Sequence, residues 1–223
     1  MLITLESIPM REVLHYLGWR GAPVEKELLH QLEALSAVAI EMVRPRAVML
    51  RFAIGKEGTL DRTSFTPKGR DVRGMLDACK EAVLLAATLG AESERLLLRE
   101  QARSGAQAVL MDAVLSAAIE TVCDRLENDL RGELAGQGLF LTDRFSPGYG
   151  DMPLEQTREI CDVLAAARSI GLTVSASGLM IPRKSVTAIM GISDQAVKRR
   201  PAGCEGCSAR GTCPMSESRC API

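Results

Sequence analysis

The longest helical pattern in the sequence does most to limit what this chain can fold into. It runs from Ser104 to Ala135, and its main apolar stripe follows helical spacing. The stripe consists of Met111, Leu115, Ile119, Val122, Leu126 and Leu130. Alanines lie on the other faces of the first half, so we expect that half to be buried nearly all round. Such a helix needs other elements on several sides, and a chain that is 47% apolar can supply the core that covers it.

Helices and strands are both predicted along the chain, without regular alternation. Apolar periodicity and Gly or Pro punctuation predict further helices over residues 9–17, 24–43, 72–78 and 92–103, and a helix after residue 156 that includes Ile160 and Ala167. Strands are predicted over residues 48–54, 82–89, 138–142, 171–175 and 185–192, with 59–64 as a candidate partner strand. In the first strand, Leu50 belongs to the face that we expect to be buried. This mixture favours an α+β fold, with an antiparallel or mixed twisted sheet and packed helices.

A loop rich in proline and glycine spans residues 144–156 and connects a predicted strand to the helix after it. Arg144 and Tyr149 are the side chains in it that have most to offer a ligand. A guanidinium fork binds a carboxylate in a bidentate way, and the face of a tyrosine ring attracts a cation. A ligand with both a carboxylate and a cationic centre would therefore suit this loop. Composition alone favours the alternative, an ordinary loop whose arginine pairs with a neighbouring acid.

The motifs in and around this loop resemble a known family. Arg144-x-x-Pro147-Gly148-Tyr149 resembles the S-adenosylmethionine-binding motif of the activation domain of cobalamin-dependent methionine synthase. Other segments resemble the same domain or its free-standing relatives, in the right order, between Arg11 and about Ile192. They are Tyr16-Leu17-Gly18, Ala86-Ala87-Thr88-Leu89-Gly90, Ser177-x-x-Met180-x-Pro182 and Pro182-Arg183-Lys184-Ser185-Val186-Thr187. Agreement of several separated motifs makes the resemblance specific, although no aromatic residue follows Thr187, where the methionine synthase domain has a tyrosine near its ligand.

The resemblance implies S-adenosylmethionine as the ligand and a fold similar to that domain. It implies that Arg144 holds the carboxylate of the ligand. The residues that would shape the rest of the site are Ser146, Pro147, Gly148 and Tyr149. Lys184 and the loop of residues 177–184 are candidates to face the corrin of a partner.

Glu120 is a further candidate for the site, because it lies on the crowded part of the long helix. A buried carboxylate needs a partner, since a lone buried charge is costly or takes up a proton. The interpretation that we place first is a salt bridge with an arginine. The other is an acid that faces the amino or ribose groups of S-adenosylmethionine.

The resemblance also implies a function, the reactivation of a cobalamin-dependent methyltransferase, which makes the chain a component of methionine synthase activity in methionine biosynthesis. Reduction by an electron donor and methylation from S-adenosylmethionine restore oxidised cobalamin, so the protein supplies positioning and no catalytic residue of its own. Cobalamin is expected on a partner, a cobalamin-binding methionine synthase or related corrinoid protein. Val13 stands where the cobalamin-ligating pattern Asp-x-His-x-x-Gly requires aspartate before His15-x-x-Gly18. Two alternatives stay open: an iron–sulfur redox activator of other corrinoid methyltransferases, and a non-catalytic module that binds S-adenosylmethionine.

Cysteine usage divides the chain into a main domain, residues 1–197, and a cysteine-rich tail, residues 198–223. The tail carries Cys204-x2-Cys207-x5-Cys213-x6-Cys220, and glycines between them permit tight turns around a metal. Thiolates are soft ligands, so zinc or an iron–sulfur cluster are the candidates, with an unmetallated flexible tail as the alternative. The other three cysteines lie in helical patterns and are interpreted as core thiols; they are Cys79, Cys123 and Cys161.

Charge and the N-terminal sequence indicate which partners and compartment to expect. A formal net charge of -1 gives no electrostatic footprint for nucleic acid or an anionic membrane. The first residues lack a basic start followed by a long apolar centre, and no apolar stretch spans a bilayer without charged residues. We therefore expect a cytoplasmic protein whose cysteines are thiols or metal ligands.

Overall fold

The computed structural model describes residues 1–19 and 23–197 and has an α+β fold with an antiparallel sheet, as predicted. The helices are α1 (Met10–Tyr16), α2 (Lys26–Met42), α3 (Arg70–Leu76), α4 (Ala91–Arg103), α5 (Gly105–Ala135), α6 (Gln156–Val163) and α7 (Ala166–Ile170). The strands are β1 (Arg46–Ala53), β2 (Glu81–Thr88), β3 (Phe140–Leu141), β4 (Thr173–Val174), β5 (Met180–Ile181) and β6 (Ser185–Ser193). The predicted cysteine tail, residues 198–223, lies outside the described residues.

The main sheet has four strands in the order β1-β2-β6-β3, and each neighbouring pair is antiparallel. Strand β2 pairs along its whole length with β6, from Glu81 opposite Ile192 to Thr88 opposite Ser185. Strands β4 and β5 form a separate hairpin in which Thr173 lies opposite Ile181. The start of β6 therefore adjoins this hairpin, and both elements contribute to the site described below.

Two hydrophobic cores cover the two faces of this sheet. Val83, Leu85 and Ala87 of β2 belong to the core that also contains apolar residues of α1, α2, α4 and α5. The alternate residues of β2, among them Ala82 and Leu84, belong to a second core with α3, α6 and α7. Because both faces of β2 are covered, the strand is a continuous apolar run without the alternation of a one-sided sheet.

Helix α5 is buried mainly along its middle. Every residue from Met111 to Cys123 is buried or half-buried except Asp112, but Gly105 and Ala106 in the first turn are exposed and no residue of that turn is fully buried. The prediction that the whole first half is buried is therefore wrong for that turn, which lies next to the exposed connection with α4. Of the described helices, α5 has the length and apolar content to cross a bilayer, and half of its most apolar window is buried inside the protein.

Three local predictions were wrong for identifiable reasons. The segment 59–64 forms only an isolated bridge, Ile54 with Leu60, because the chain bends to bury Leu60 and Phe65 in the second core. The helix after residue 156 ends at Val163, and Ala165 has a left-handed φ of 47° between α6 and α7. Leu50 is 44% exposed, because edge strand β1 is only partly covered on that side.

Candidate functional site

A cleft of about 360 Å³ brings together α5, the loop after β3, the start of α6, the β4–β5 hairpin and the start of β6. Its volume lies within the range of small-molecule sites in proteins. The residues that line it are Glu120, Arg144, Phe145, Ser146, Pro147, Tyr149, Leu154, Thr157, Met180, Ser185, Val186 and Thr187. All the ligand-site residues predicted from the sequence are in this lining except Gly148.

The backbone on the C-terminal side of Arg144 is fixed by the sheet. Phe145 exchanges two backbone hydrogen bonds of 2.9 Å with Ile189 of β6, and its side chain is buried in the second core. Arg144 is only 16% exposed, and its guanidinium contacts α5. The position of the predicted ligand-binding arginine is thus set by the last strand and the longest helix.

Three carboxylates on one face of α5 surround the Arg144 guanidinium. Nη2 donates to Asp124 Oδ1 at 2.6 Å and to Glu120 Oε2 at 3.2 Å, and Nε lies 3.1 Å from Glu127 Oε2. These acids share a face because a helix returns to the same side after four and seven residues. The expectation of a salt bridge between Glu120 and an arginine is confirmed, and Glu120 also lines the cleft.

One donor of Arg144 has no partner among the described residues. Nη1 is buried and makes no hydrogen bond, although the other two nitrogens are paired. A buried unpaired donor is costly. Arg144 therefore retains one donor to which α5 supplies no acceptor, on a residue that lines the cleft.

Excess negative charge in this cluster perturbs the pKa of Asp124. Partial burial raises its pKa to about 6, together with repulsion from Glu120, Glu127 and Glu12. The Arg144 guanidinium that contacts Asp124 at 2.6 Å is shared with Glu120 and Glu127. Burial lowers the pKa of Arg144 from its ordinary value, and Glu120, Tyr16 and Tyr149 oppose that change.

Tyr16 at the end of α1 is a neighbour of the cleft that the sequence did not assign to it. Burial raises the pKa of its phenol far above the ordinary value, and Glu120, Tyr149 and Glu12 add to the effect. The phenol therefore stays neutral and lies within electrostatic reach of the cleft. Tyr16 belongs to the Tyr16-Leu17-Gly18 segment that carries part of the family resemblance, but that segment did not indicate a role for the tyrosine.

The Ser146–Tyr149 loop uses much of its own backbone internally. Gly148 N–H donates to Met152 O at 2.9 Å, and Tyr149 N–H donates to Ser146 O at 3.1 Å. Gly148 has a φ of 89°, a conformation that glycine adopts at little cost. The Tyr149 ring is 70% exposed and lies on the cleft lining, where its face is available to a cationic group.

The opposite wall consists of residues that we had not assigned to the site. Thr187 and Ser185 come from β6, Met180 from the β4–β5 hairpin and Thr157 from α6. The resemblance included Met180 and Ser185 in its motifs but gave them no role, and only the sheet register brings them opposite Arg144. Ala188 follows Thr187, where the resemblance led us to look for an aromatic residue. Ala188 is fully buried in the first core.

Lys184 is held within the protein. Its side chain is 13% exposed, and its Nζ lies 2.8 Å from Asp112 Oδ1 and 2.8 Å from Ser116 Oγ on α5. Helix α5 therefore already provides oxygen partners for this ammonium, and the contact of Lys184 and the loop of residues 177–184 with a corrin stays a prediction.

No metal-binding cluster of His, Cys, Asp or Glu is present in residues 1–19 and 23–197. Cys123 and Cys161 are buried, and Cys79 is half-buried, which confirms that these are thiols of the folded interior. Burial, with a contribution from Asp162, raises the pKa of Cys161 to about 11. The predicted ligands Cys204, Cys207, Cys213 and Cys220 lie outside the described residues.

Comparison with known proteins places the fold beside one solved structure of related shape. No family model matches the sequence, and no curated protein sequence matches it. The crystal structure of the MetH reactivation domain bound to AdoHcy superposes with a TM-score of 0.62. Sequence identity is 16%, and the match covers 89% of this chain and 79% of that chain. The two proteins share a fold, and the neighbour holds an adenosyl amino acid.

Proposed function

We propose that this protein binds S-adenosylmethionine in the cleft beside Arg144 and reactivates a cobalamin-dependent methyltransferase on a partner protein. The observation that carries the proposal is a cleft lined by Arg144, Glu120 and Tyr149, together with the unpaired Nη1 of that arginine. The fold shared with the MetH reactivation domain bound to AdoHcy supports it.

The charges of the cleft suit the ligand. In the proposal, Arg144 binds the carboxylate, and Glu120, the α5 acid that lines the cleft, binds the ammonium group. Glu120, Asp124 and Glu127 outnumber the two arginines that pair with them, Arg144 and Arg131, so the site attracts a ligand whose amino and sulfonium groups bring two positive charges. Tyr149 at the cleft surface offers a ring face to one of them.

The reaction requires positioning more than acid–base chemistry. The methyl group leaves the sulfonium without its bonding electrons, and AdoHcy remains in the cleft. Reduced cobalt of the partner supplies the electron pair, so an external electron donor must act before each transfer. The residues of this chain hold the donor and orient its methyl group, and no proton has to move.

Cobalamin is assigned to the partner, a cobalamin-binding methionine synthase or a related corrinoid protein. His15, the residue that we compared with the cobalamin-ligating motif, lies on the exposed side of α1 beside Tyr16. Its sequence context also lacks the aspartate of that motif. Docking is expected to be transient and of modest area, because the partner must also meet its ordinary substrates.

Two measurements test the proposal. Calorimetry should show that the isolated protein binds S-adenosylmethionine. Mixing the protein with a reductant, S-adenosylmethionine and an oxidised cobalamin methyltransferase from the same organism should give methylated cobalamin, followed by absorbance. The control omits this protein, and methylation at an unchanged rate in that control would refute the reactivation role. Binding without methyl transfer to any corrinoid partner would identify a non-catalytic binding module.

A further inference from the structure

Three successive residues, Arg183, Lys184 and Ser185, lead into the β6 wall of the cleft, and each is attached to a different element. Arg183 N–H donates to Glu94 of α4 at 2.6 Å, and its guanidinium Nε lies 3.0 Å from the same carboxylate. Ser185 Oγ donates to Thr88 Oγ1 of β2 at 2.8 Å. Lys184, between them, is attached to α5.

The Lys184 ammonium has three oxygen partners on one turn of α5. It donates to the main-chain oxygen of Asp112 at 3.1 Å and to Ser116 Oγ at 2.8 Å, and it pairs with Asp112 Oδ1 at 2.8 Å. All three donor positions of the ammonium are used. The Lys184 side chain is 13% exposed and that of Asp112 is 55% exposed, so the contact is shielded from water on the lysine side only.

This contact lies at one end of the cleft. Ser116 precedes the cleft residue Glu120 by one helical turn, about 6 Å along α5. Lys184 immediately precedes Ser185, the first of three consecutive β6 residues in the opposite wall. Lys184 therefore connects α5 with β6 close to the first cleft residues of each element, Glu120 and Ser185.

We infer that Lys184 is a positioning residue that sets the distance between the α5 wall and the β6 wall of the cleft. This inference rests on the proposed ligand. The first core packs α5 against the sheet independently, through residues such as Ala117 and Met190, so loss of Lys184 leaves the fold in place. What it changes is the spacing of Glu120 and Thr187, the half-buried and buried polar residues that the two elements contribute to the cleft.

The test is the affinity of the full chain for S-adenosylmethionine after Lys184→Met, which keeps the length of the side chain and removes its charge. We expect affinity to fall about tenfold, a loss within the range of coupling between residues in one contact network. Lys184→Arg retains a cation that can reach Asp112 and should recover part of the loss. If Lys184 were needed only for stability, neither variant would change the affinity at a temperature far below unfolding.

Lys80→Met is the matched control. Lys80 pairs with Asp194 at the opposite end of the β2–β6 ladder, about 25 Å along the strands from Ser185. Removing it breaks a Lys–Asp pair of the same sheet and should leave affinity unchanged. Ser116→Ala is a second variant, to be used if Lys184→Met does not fold. It removes one hydrogen-bond partner of the Lys184 ammonium and should also weaken binding.

The outcomes separate this inference from the proposed function. If the wild-type chain does not bind S-adenosylmethionine, the proposed function fails before any variant is made. If the wild type binds and both Lys184→Met and Ser116→Ala bind equally well, the ligand assignment stands and the positioning role is wrong. Equal losses for Lys184→Met and Lys80→Met would also contradict the role, because they would reflect general destabilisation.

Discussion

Arg144 serves both the fold and the cleft. Its guanidinium is the shared partner of three acids on α5, of which Glu127 is only 15% exposed. Removing the arginine would leave a poorly hydrated carboxylate with fewer partners, and such a group takes up a proton or destabilises the fold. The plain interpretation of a salt bridge and the functional interpretation of a ligand-binding arginine are therefore compatible, because different nitrogens serve the two roles.

The first prediction concerns the ligand-binding role of Arg144. Arg144→Ala should weaken binding of S-adenosylmethionine, since hydrogen bonds to charged groups contribute about 1.5–3 kcal/mol, roughly a ten- to hundredfold change in affinity. Lys at this position should recover only part of the affinity, because it lacks the planar fork. Calorimetry measures both effects.

Arg131→Ala is the control for this prediction. Arg131 also pairs with Glu127, at 2.6 Å, but it does not line the cleft. It should lower stability without lowering affinity. Equal affinity of wild type and Arg144→Ala would remove Arg144 from the site.

The second prediction concerns the pKa of Asp124. A carboxyl whose pKa is about 6 in the folded protein binds a proton more readily than its unfolded form, whose pKa is near 3.8. Its contribution to stability is therefore favourable in acid and is lost as pH rises from about 4 to about 6. Asp124→Asn should raise Tm relative to wild type at pH 7.5 but not at pH 4. The side chain is 60% exposed, so solvent screening limits the gain to about 1–3 °C.

Thermal unfolding at the two pH values measures this difference. Asp129→Asn, on the same helix and 73% exposed, is the control and should show no comparable pH dependence. The same Tm difference for Asp124→Asn at both pH values would contradict the shifted pKa.

At the scale of elements, the loop of residues 144–156 is hydrogen-bonded to the segment that leads into α3. Asp151 accepts hydrogen bonds from the main-chain N–H groups of Arg70 at 2.7 Å and Asp71 at 3.1 Å. These are unpaired donors at the start of α3, so Asp151 caps that helix from a distant part of the chain. Buried Gln156 adds two more contacts, since it accepts from Lys68 N–H at 2.7 Å and donates to Thr66 O at 3.0 Å. The shape of the loop beside Arg144 thus depends on a helix of the second core.

The third prediction follows from this attachment. Asp151→Ala should lower Tm and weaken ligand binding, because it frees the loop from α3, and Asp151→Asn should have a smaller effect. The main-chain N–H groups hold the pKa of Asp151 below its usual value of 3.8. Its contribution is therefore present above that value and is lost as pH falls through the lower folded pKa. The Tm difference between wild type and Asp151→Ala should shrink in acid.

Unfolding curves from pH 7 to pH 3, with calorimetry at neutral pH, measure both parts. Asp61→Ala is the control, because Asp61 is 58% exposed and pairs only with its neighbour Arg62 at 3.4 Å. A Tm difference that does not change with pH would mean that Asp151 acts through something other than its charge.

At the scale of the whole molecule, the described part of the chain contains both cores that the sheet requires. Within that part, the last residue of the first core is Ile192 and the last of the second core is Ile189. The site residues also end at Thr187. Folding and ligand binding are therefore expected to depend on the main domain.

The fourth prediction separates that domain from the cysteine tail. Deleting the residues after Pro201 should leave Tm and affinity for S-adenosylmethionine unchanged. Full-length protein purified without oxygen should contain zinc or an iron–sulfur cluster, and the truncated chain should contain neither, because the thiolates proposed as ligands are absent. Elemental analysis detects either metal, and visible absorbance that responds to dithionite identifies a cluster. Anaerobic full-length protein with neither metal would leave the tail without a metal-binding role.

Periodicity in the sequence was sufficient to predict most helices, the central strands and the α+β class. Those features are local, because the spacing of apolar residues reports which face of an element is buried. The continuous apolar run of β2 indicated a buried strand, although periodicity alone left a helix open, and two cores cover its two faces. The Arg144–Tyr149 loop became a candidate binding loop through the resemblance of its motif, because its composition alone favoured an ordinary loop.

Only the tertiary structure decided which residues meet in the cleft. Arg144 meets Glu120, Asp124 and Glu127 because antiparallel pairing of Phe145 with Ile189 lays the loop along α5, and sequence separation gives no indication of that distance. The same register brings Ser185 and Thr187 opposite Arg144 and attaches Lys184 to Asp112. Contacts between distant segments depend on how whole faces pack against each other, whereas helices and strands depend on the residues within a few positions, and this is why the elements could be predicted and the site's partners could not.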